Sequence, residues 1–306
     1  MLNRSIIVAL VAATSLAACS GGAGTSALPI ARPSGPVQQA PQSALMTLTV
    51  RKSNTVQASS NERRPEYVSP GANSVSIQLI SFNGANYTSE TQPTVFNLGG
   101  AGCTNDGTQQ TCSLNITGQP VGNDIYQVIA YSQSNAGGSV LSTNSAGITV
   151  AAAPAVNTLN IVLNGVVAHL VWSPSTLQIP SGVATTYNVA LQATDASNYI
   201  IVGSAPFTNA ANTANVTISA NCNTRAEDFF ALQQSNGSNL STPYTFTSPQ
   251  GNSIAKLYYD GTPLTGTPAQ AVCRATDDNG TPEGDLIITN TATGNVGVGI
   301  SGHARN

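Results

Sequence analysis

The sequence predicts an all-β protein, with two antiparallel β-sandwiches in tandem, and three observations predict it. Short segments alternate apolar with polar residues, as in Ser74-Val75-Ser76-Ile77-Gln78-Leu79, the period of a strand with one face buried. Clusters of Gly, Asn, Asp and Pro separate these segments, as in Gly118-Gln119-Pro120-Val121-Gly122-Asn123-Asp124, which reads as turn chemistry. No window after residue 19 places apolar residues at i, i+3, i+4 and i+7, so helices are not expected. The composition agrees: Ser, Thr, Asn and Gly dominate and only two lysines occur.

Length and charge bound the rest. A chain of 306 residues favours about two domains. Charged residues make up 8% and the formal net charge is −3, so no basic surplus exists to neutralise a nucleic-acid backbone, and a DNA or RNA partner is not expected.

Taken in order, the chain opens with Arg4, an apolar run from Ile6 to Ala13, and then Leu16-Ala17-Ala18-Cys19. The run is too short to span a bilayer as a helix. Positive start, apolar run, small residues and cysteine stand in the order of a bacterial lipoprotein signal, and Leu16 to Cys19 resembles its lipobox. That resemblance implies a signal peptide over residues 1–19, cleaved before Cys19, and lipidation of Cys19 by a thioether-linked diacylglycerol and commonly an amide-linked acyl chain. Two or more chains anchor stably where one does not, so the implied partner is a membrane, held through the N-terminal lipid. Ser20 stands where Asp acts as an inner-membrane retention signal in many diderm bacteria, which points to the outer membrane. Residues 20–44 are rich in Gly, Ser, Ala, Pro and Gln and read as a flexible tether of roughly 25 to 30 Å as a coil.

The first sandwich is expected over residues 45–164, opening with the strand Leu45 to Val50. A polar stretch with Arg51, Lys52, Glu62, Arg63 and Arg64 follows, and its few, interrupted positives suit a solvated loop. Further strands are expected at Ser74–Phe82, Thr94–Leu98, Thr111–Thr117, Ile125–Ser132, Gly147–Val150 and Asn157–Leu163. Here Pro120 to Val128 resembles a strand of prealbumin-like surface modules.

The second sandwich is expected over residues 165–300, with 301–306 as a tail. Its first strand, Val166 to Trp172, should turn Leu170 and Trp172 inward and His169 and Val171 outward. A long strand from Val183 to Ala193 should carry Tyr187, Val189 and Leu191 on one side, running into Asp195-Ala196-Ser197-Asn198 and the apolar Tyr199 to Val202. Strand, Asp turn and apolar strand together resemble bacterial Ig-like domains of the invasin and intimin type, a likeness continued by Pro206-Phe207-Thr208 and Val216 to Ser219. Val272 to Gly280 repeats the strand and Asp turn. Three departures from that family stand out: Asn198 replaces the usual Gly, Cys222 and Cys273 are additional, and Arg225 to Gly251 reads as an insertion.

With Cys19 assigned to lipid, Cys103, Cys112, Cys222 and Cys273 remain, an even number suited to disulfides in an oxidising compartment. Four cysteines allow three connectivities; pairing Cys103 with Cys112 across an Asp106-Gly107 turn, and Cys222 with Cys273, is simplest because each bridge then stays inside one domain. No CxxC occurs, and His169 and His303 are not spaced to complete a tetrahedral set, so no metal site is assigned.

Catalytic motifs are equally scarce. There is no Gly-x-Ser-x-Gly, no HExxH and no cofactor signature, His303 stands three residues from the last residue, and His169 falls in a strand. No catalytic residue is assigned and enzyme chemistry is not expected. Carboxylates concentrate at Asp277-Asp278-Asn279-Gly280-Thr281-Pro282-Glu283-Gly284-Asp285, but the EF-hand register puts Ala275 and Leu286 at ligand positions, so a turn between strands is the better reading than calcium. Lys52 and Asn164 invite an isopeptide cross-link, for which no catalytic acid can be named. Phe229-Phe230 and Tyr258-Tyr259 offer rings for a sugar, with one ring of each pair expected in the core. The expected function is a non-enzymatic envelope lipoprotein displaying sandwiches for adhesion, assembly or structure, with a protein or glycan ligand at the cell surface. A carbohydrate- or solute-binding lipoprotein is the alternative, and an enzyme with dispersed carboxylates comes third.

Overall fold

The computed structural model describes residues 44–53, 67–87, 93–222, 229–264 and 270–291. Cys19, residues 20–43 of the expected tether, Glu62, Arg63, Arg64, Arg225 and His303 lie outside them, while Ala44 already belongs to a strand.

The described residues fold as β-strands, joined by loops and one short 3-10 turn at Pro249–Gly251. The first part contains β1 (Ala44–Ser53), β2 (Tyr67–Val68), β3 (Ser74–Phe82), β4 (Ala85–Asn86), β5 (Thr94–Asn97) and β6 (Cys103–Asn105). It continues with β7 (Gln109–Gln119), β8 (Gly122–Tyr131), β9 (Val140–Val150), β10 (Asn157–Leu159) and β11 (Asn164–Gly165). One sheet has the order β10-β1-β7-β6, with β2 also on β1; the facing sheet has the order β11-β9-β8-β3-β4, with β5 also on β3. Alternation builds the core between them. Met46, Leu48 and Val50 of β1 meet Leu114 and Ile116 of β7 and Tyr126, Val128 and Ala130 of β8 in one buried cluster. Ser74 and Ser76 are buried as well: Ser74 Oγ donates to Gln133 O and accepts from Ala136 N of loop 132–138, and Ser76 Oγ donates to Tyr131 OH.

The second part holds β12 (His169–Ser173), β13 (Thr176–Pro180), β14 (Thr185–Asn188), β15 (Ala190–Thr194) and β16 (Ile218–Asn221). After these come β17 (Phe230–Gln233), β18 (Tyr244–Phe246), β19 (Lys256–Tyr259), β20 (Gln270–Asp277) and β21 (Gly284–Thr291). The sheet β13-β21-β20-β16-β18 encloses a second buried cluster together with the pair β12-β15 and the sheet β14-β19-β17. Trp172 anchors it: its ring is buried and its Nε1 donates to Gly284 O at 3.1 Å, satisfying the one polar atom of the side chain. As the alternation predicts, Leu170 and Trp172 face in while His169 and Val171 face out.

Most pairings are antiparallel, but β1 runs parallel to β10 and β2, and β13 parallel to β21. Buried Asn157 clasps the β1–β10 edge, its Nδ2 donating to Leu45 O and Ala151 O while its Oδ1 accepts from Ala151 N.

Two sequence expectations need correction. The long strand over 183–193 is two strands: at Val189 the chain leaves β19 and joins β12, and Val189 N is satisfied by Ala255 O at 3.1 Å. Tyr187, Val189 and Leu191 still share the inward side, so the alternation survives the change of sheet. Within the stretch from Arg225 to Gly251, Phe230 and Leu232 of β17 and Phe246 of β18 are core residues. Finally, the apolar Tyr199 to Val202 forms no strand; Ile200 makes one bridge to Thr194, and Ile201 N caps Ala193 O.

Candidate functional site

The two disulfides are Cys103–Cys112 and Cys222–Cys273. The strand registers explain the pairing. Cys103 lies directly opposite Cys112 on β6 and β7, and the β16–β20 register, ending at Asn221 opposite Arg274, brings Cys222 opposite Cys273. The first hairpin closes at Asp106-Gly107: Gly107 has φ +91°, and the Asp106 carboxylate accepts from Thr108 N, Gln109 N and Thr108 Oγ1. Those donors hold the Asp106 carboxyl below its usual pKa.

The acidic segment 277–285 joins β20 to β21, and each of its carboxylates makes a hydrogen bond or an ion pair through at least one oxygen. Asp277 Oδ1 accepts from Asn279 N and Thr281 N, with Gly280 at φ +80°. Asp278 Oδ1 accepts from Thr217 N. Arg274 takes the other two, Glu283 at 2.9 Å from its NH1 and Asp285 at 3.0 Å from its Nε, in an exposed cluster. Among the described residues no group of three His, Cys, Asp or Glu side chains is placed to hold a metal ion.

The same turn is built a second time at Asp195. Its Oδ1 accepts from Ser197 N and Tyr199 N, again at two and four residues on, with Asn198 at φ +63° in the place of Gly280. Asn is the residue that best tolerates this left-handed conformation after glycine, which suits Asn198 to the position.

The aromatic pairs divide as expected. Phe230 and Tyr259 stack in the core, with ring centroids 5.2 Å apart and planes at 22°, while Phe229 and Tyr258 are half-buried and Phe229 packs against the same core. Lys52 Nζ donates to Ala72 O at 2.6 Å, and burial lowers its pKa. Asn164 is buried in β11, where it pairs with Thr143 of β9.

Two features escaped the sequence reading. Asp124 continues the inward face of Tyr126, Val128 and Ala130 and is 2% exposed. Tyr126 OH donates to its Oδ2 at 3.1 Å, while Oδ1 has no hydrogen-bond partner. Burial raises the Asp124 pKa against the opposing effect of the Tyr126 bond, and burial beside Asp124 raises that of Tyr126. The period-2 pattern contained the signal, a carboxylate at a core position.

The second feature is a cleft of about 450 Å³ beside β15, on the edge away from β12. Leu191, Ala193, Phe207 and Phe246 form its apolar floor, while Gln192, Ser204, Gln250 and Asn252 stand among its lining. No charged side chain lines it. Asn252 Nδ2 caps Leu191 O at 2.6 Å, and Gln250 N donates to Gly203 O at 3.1 Å, which ties the loops around the cleft to the strand and to each other.

No family model matches the chain, and none of the curated proteins does. Among solved structures it is similar to an endo-fucoidan hydrolase of glycoside hydrolase family 107 and to a single-residue variant of that enzyme, each at 15% identity and TM-score 0.20. Those matches cover 72% of this chain but 24% of the hydrolase, so the chain spans about a quarter of its length. A titin fragment, A168169, matches at 11% identity and TM-score 0.20 over 71% of this chain and 83% of the fragment.

Proposed function

We propose that this protein is a cell-envelope lipoprotein in which acyl chains on Cys19 and a flexible tether hold two β-sandwich domains, residues 45–164 and 165–300, at the outer membrane. The sandwiches serve adhesion, assembly or envelope structure and perform no catalysis. The observation that carries this reading is the sequence Leu16-Ala17-Ala18-Cys19 behind its apolar run, followed by a chain whose other four cysteines form disulfides and so suit an exported compartment. The acidic residues of 277–285 fit it too, since they serve a turn and an ion-pair cluster. Mass spectrometry of the N-terminal peptide from the membrane fraction tests it. The expected product starts at Cys19 and carries acyl mass; a peptide running unmodified through Cys19 overturns the proposal.

The uncharged cleft beside β15 favours a second reading, a lipoprotein that binds a neutral solute or saccharide. Its volume lies within the range of about 300 to 1,000 Å³ typical of ligand sites, and its lining mixes an apolar floor with a few amides and a hydroxyl. Amide chemical-shift mapping with neutral mono- and disaccharides tests it: saturable shifts confined to residues 190–193, 200–207 and 246–252 support it, and their absence removes it.

A further inference from the structure

The chain passes from the first sandwich to the second without a linker. Asn164 and Gly165 pair with Thr143 and Ser142 in the first, and Val166 already bridges Thr208 in the second. Val166 N donates to Leu141 O at 3.0 Å, and Gly165 O accepts from Thr208 N at 3.1 Å. Backbone bonded in both directions leaves no residue free to serve as a hinge.

A second contact flanks this crossing. The turn from Asp195 to Ile201 is braced internally by the Asp195 carboxylate and by the bond from Ile201 N to Ala193 O. It meets Gly71 of the first sandwich and Gly165 of the crossing segment. A Cβ on Gly71 would stand 2.5 Å from Ser197 Cβ, and one on Gly165 would stand 2.3 Å from Ile201 Cγ2. Both distances fall far inside the ~3.5 to 4.0 Å that non-bonded carbons keep. Neither glycine has a left-handed φ, so what the backbone needs at these positions is room for the turn. Ala196 packs against the first core, and Asn212 Nδ2 donates to Ser145 Oγ across the same junction.

Domains that share a chain move relative to one another unless their interface prevents it. We infer that the Asp195–Ile201 turn is a plug seated in a cradle walled by Gly71 and Gly165, and that it fixes the two sandwiches at one mutual orientation. The pair then acts as a single rigid unit, which presents any surface of the second sandwich at a set angle to the chain segment entering the first. This inference concerns the junction alone and stands independently of the anchor at Cys19.

Residual dipolar couplings on the full chain carrying Cys19→Ala test it. Amides of both sandwiches in the otherwise unchanged protein should fit one alignment tensor. Two variants attack the cradle from opposite sides: Gly71→Ala with Gly165→Ala adds bulk to its walls, and Ile201→Ala shrinks the plug without adding any. Each should need two tensors of unequal magnitude, while amide shifts away from the junction stay in place. Should the double variant not fold, Ile201→Ala carries the comparison. Two unequal tensors in the unchanged protein overturn the inference, and so does a single tensor retained in Ile201→Ala.

Discussion

Removing the disulfides one at a time should separate their contributions by loop length. Cys103 and Cys112 are 9 residues apart, Cys222 and Cys273 are 51 apart. In the chain-entropy treatment, a bridge restricts the unfolded chain by an amount that grows with the logarithm of the loop, which gives about 2.6 kcal/mol for the short loop and about 4 kcal/mol for the long one. Packing widens the gap, because Cys222 and Cys273 are both buried whereas Cys103 is half-buried and only Cys112 is buried on the other side. Paired Cys→Ala variants, followed by urea denaturation with circular dichroism, measure both losses. Cys222→Ala with Cys273→Ala should cost the protein at least ~1.5 kcal/mol more than Cys103→Ala with Cys112→Ala. A larger loss from the short loop would refute the reasoning, because neither loop entropy nor burial can produce that order.

Other predictions follow from single side chains. Asp124 has its folded pKa raised by burial, so its contribution to stability is fully present below the unfolded pKa of ~3.9 and is lost as pH rises through the folded value. Asp124→Asn should therefore gain stability relative to wild type as pH increases; thermal unfolding of both proteins across acid to neutral pH, read as the difference, checks this, and a difference that falls with pH contradicts it. Trp172→Phe removes the donor to Gly284 O inside the second core and should cost about 1 to 3 kcal/mol in denaturant unfolding. At Asn198, φ +63° makes glycine acceptable and a β-branched residue strained: Asn198→Gly should be neutral or slightly stabilising, whereas Asn198→Val should lose roughly 1 to 2 kcal/mol, both read from unfolding midpoints.

Strands whose sequence alternates apolar with polar residues were legible, whatever their burial, and strands without that alternation were not. The segment Ser74–Phe82 was bounded correctly because Val75, Ile77 and Leu79 alternate with polar neighbours. By contrast, β9 starts at Val140, well before the Gly147 expected from sequence, and its Leu141, Ser142 and Thr143 are all buried beside the junction, so no period marks them. The break at Val189 was hidden because the inward face continues across it. The strands β17 and β18 are only four and three residues long, too short to show a period. The Asp turns were readable from a carboxylate followed by Asn or Gly three residues on. The cleft was not, because its floor and lining come from segments 190–193, 200–207 and 246–252, which only the folded chain brings together.

The proposed anchor and the folded sandwiches make separable demands, since Cys19 stands apart from all four disulfide cysteines. Fractionation of cells producing wild type or Cys19→Ala, with non-reducing peptide mapping of the disulfides, tests the central claim most directly. The account predicts wild type in the membrane fraction and Cys19→Ala in the soluble fraction with Cys103–Cys112 and Cys222–Cys273 intact. Cys19→Ala remaining in the membrane fraction would contradict it.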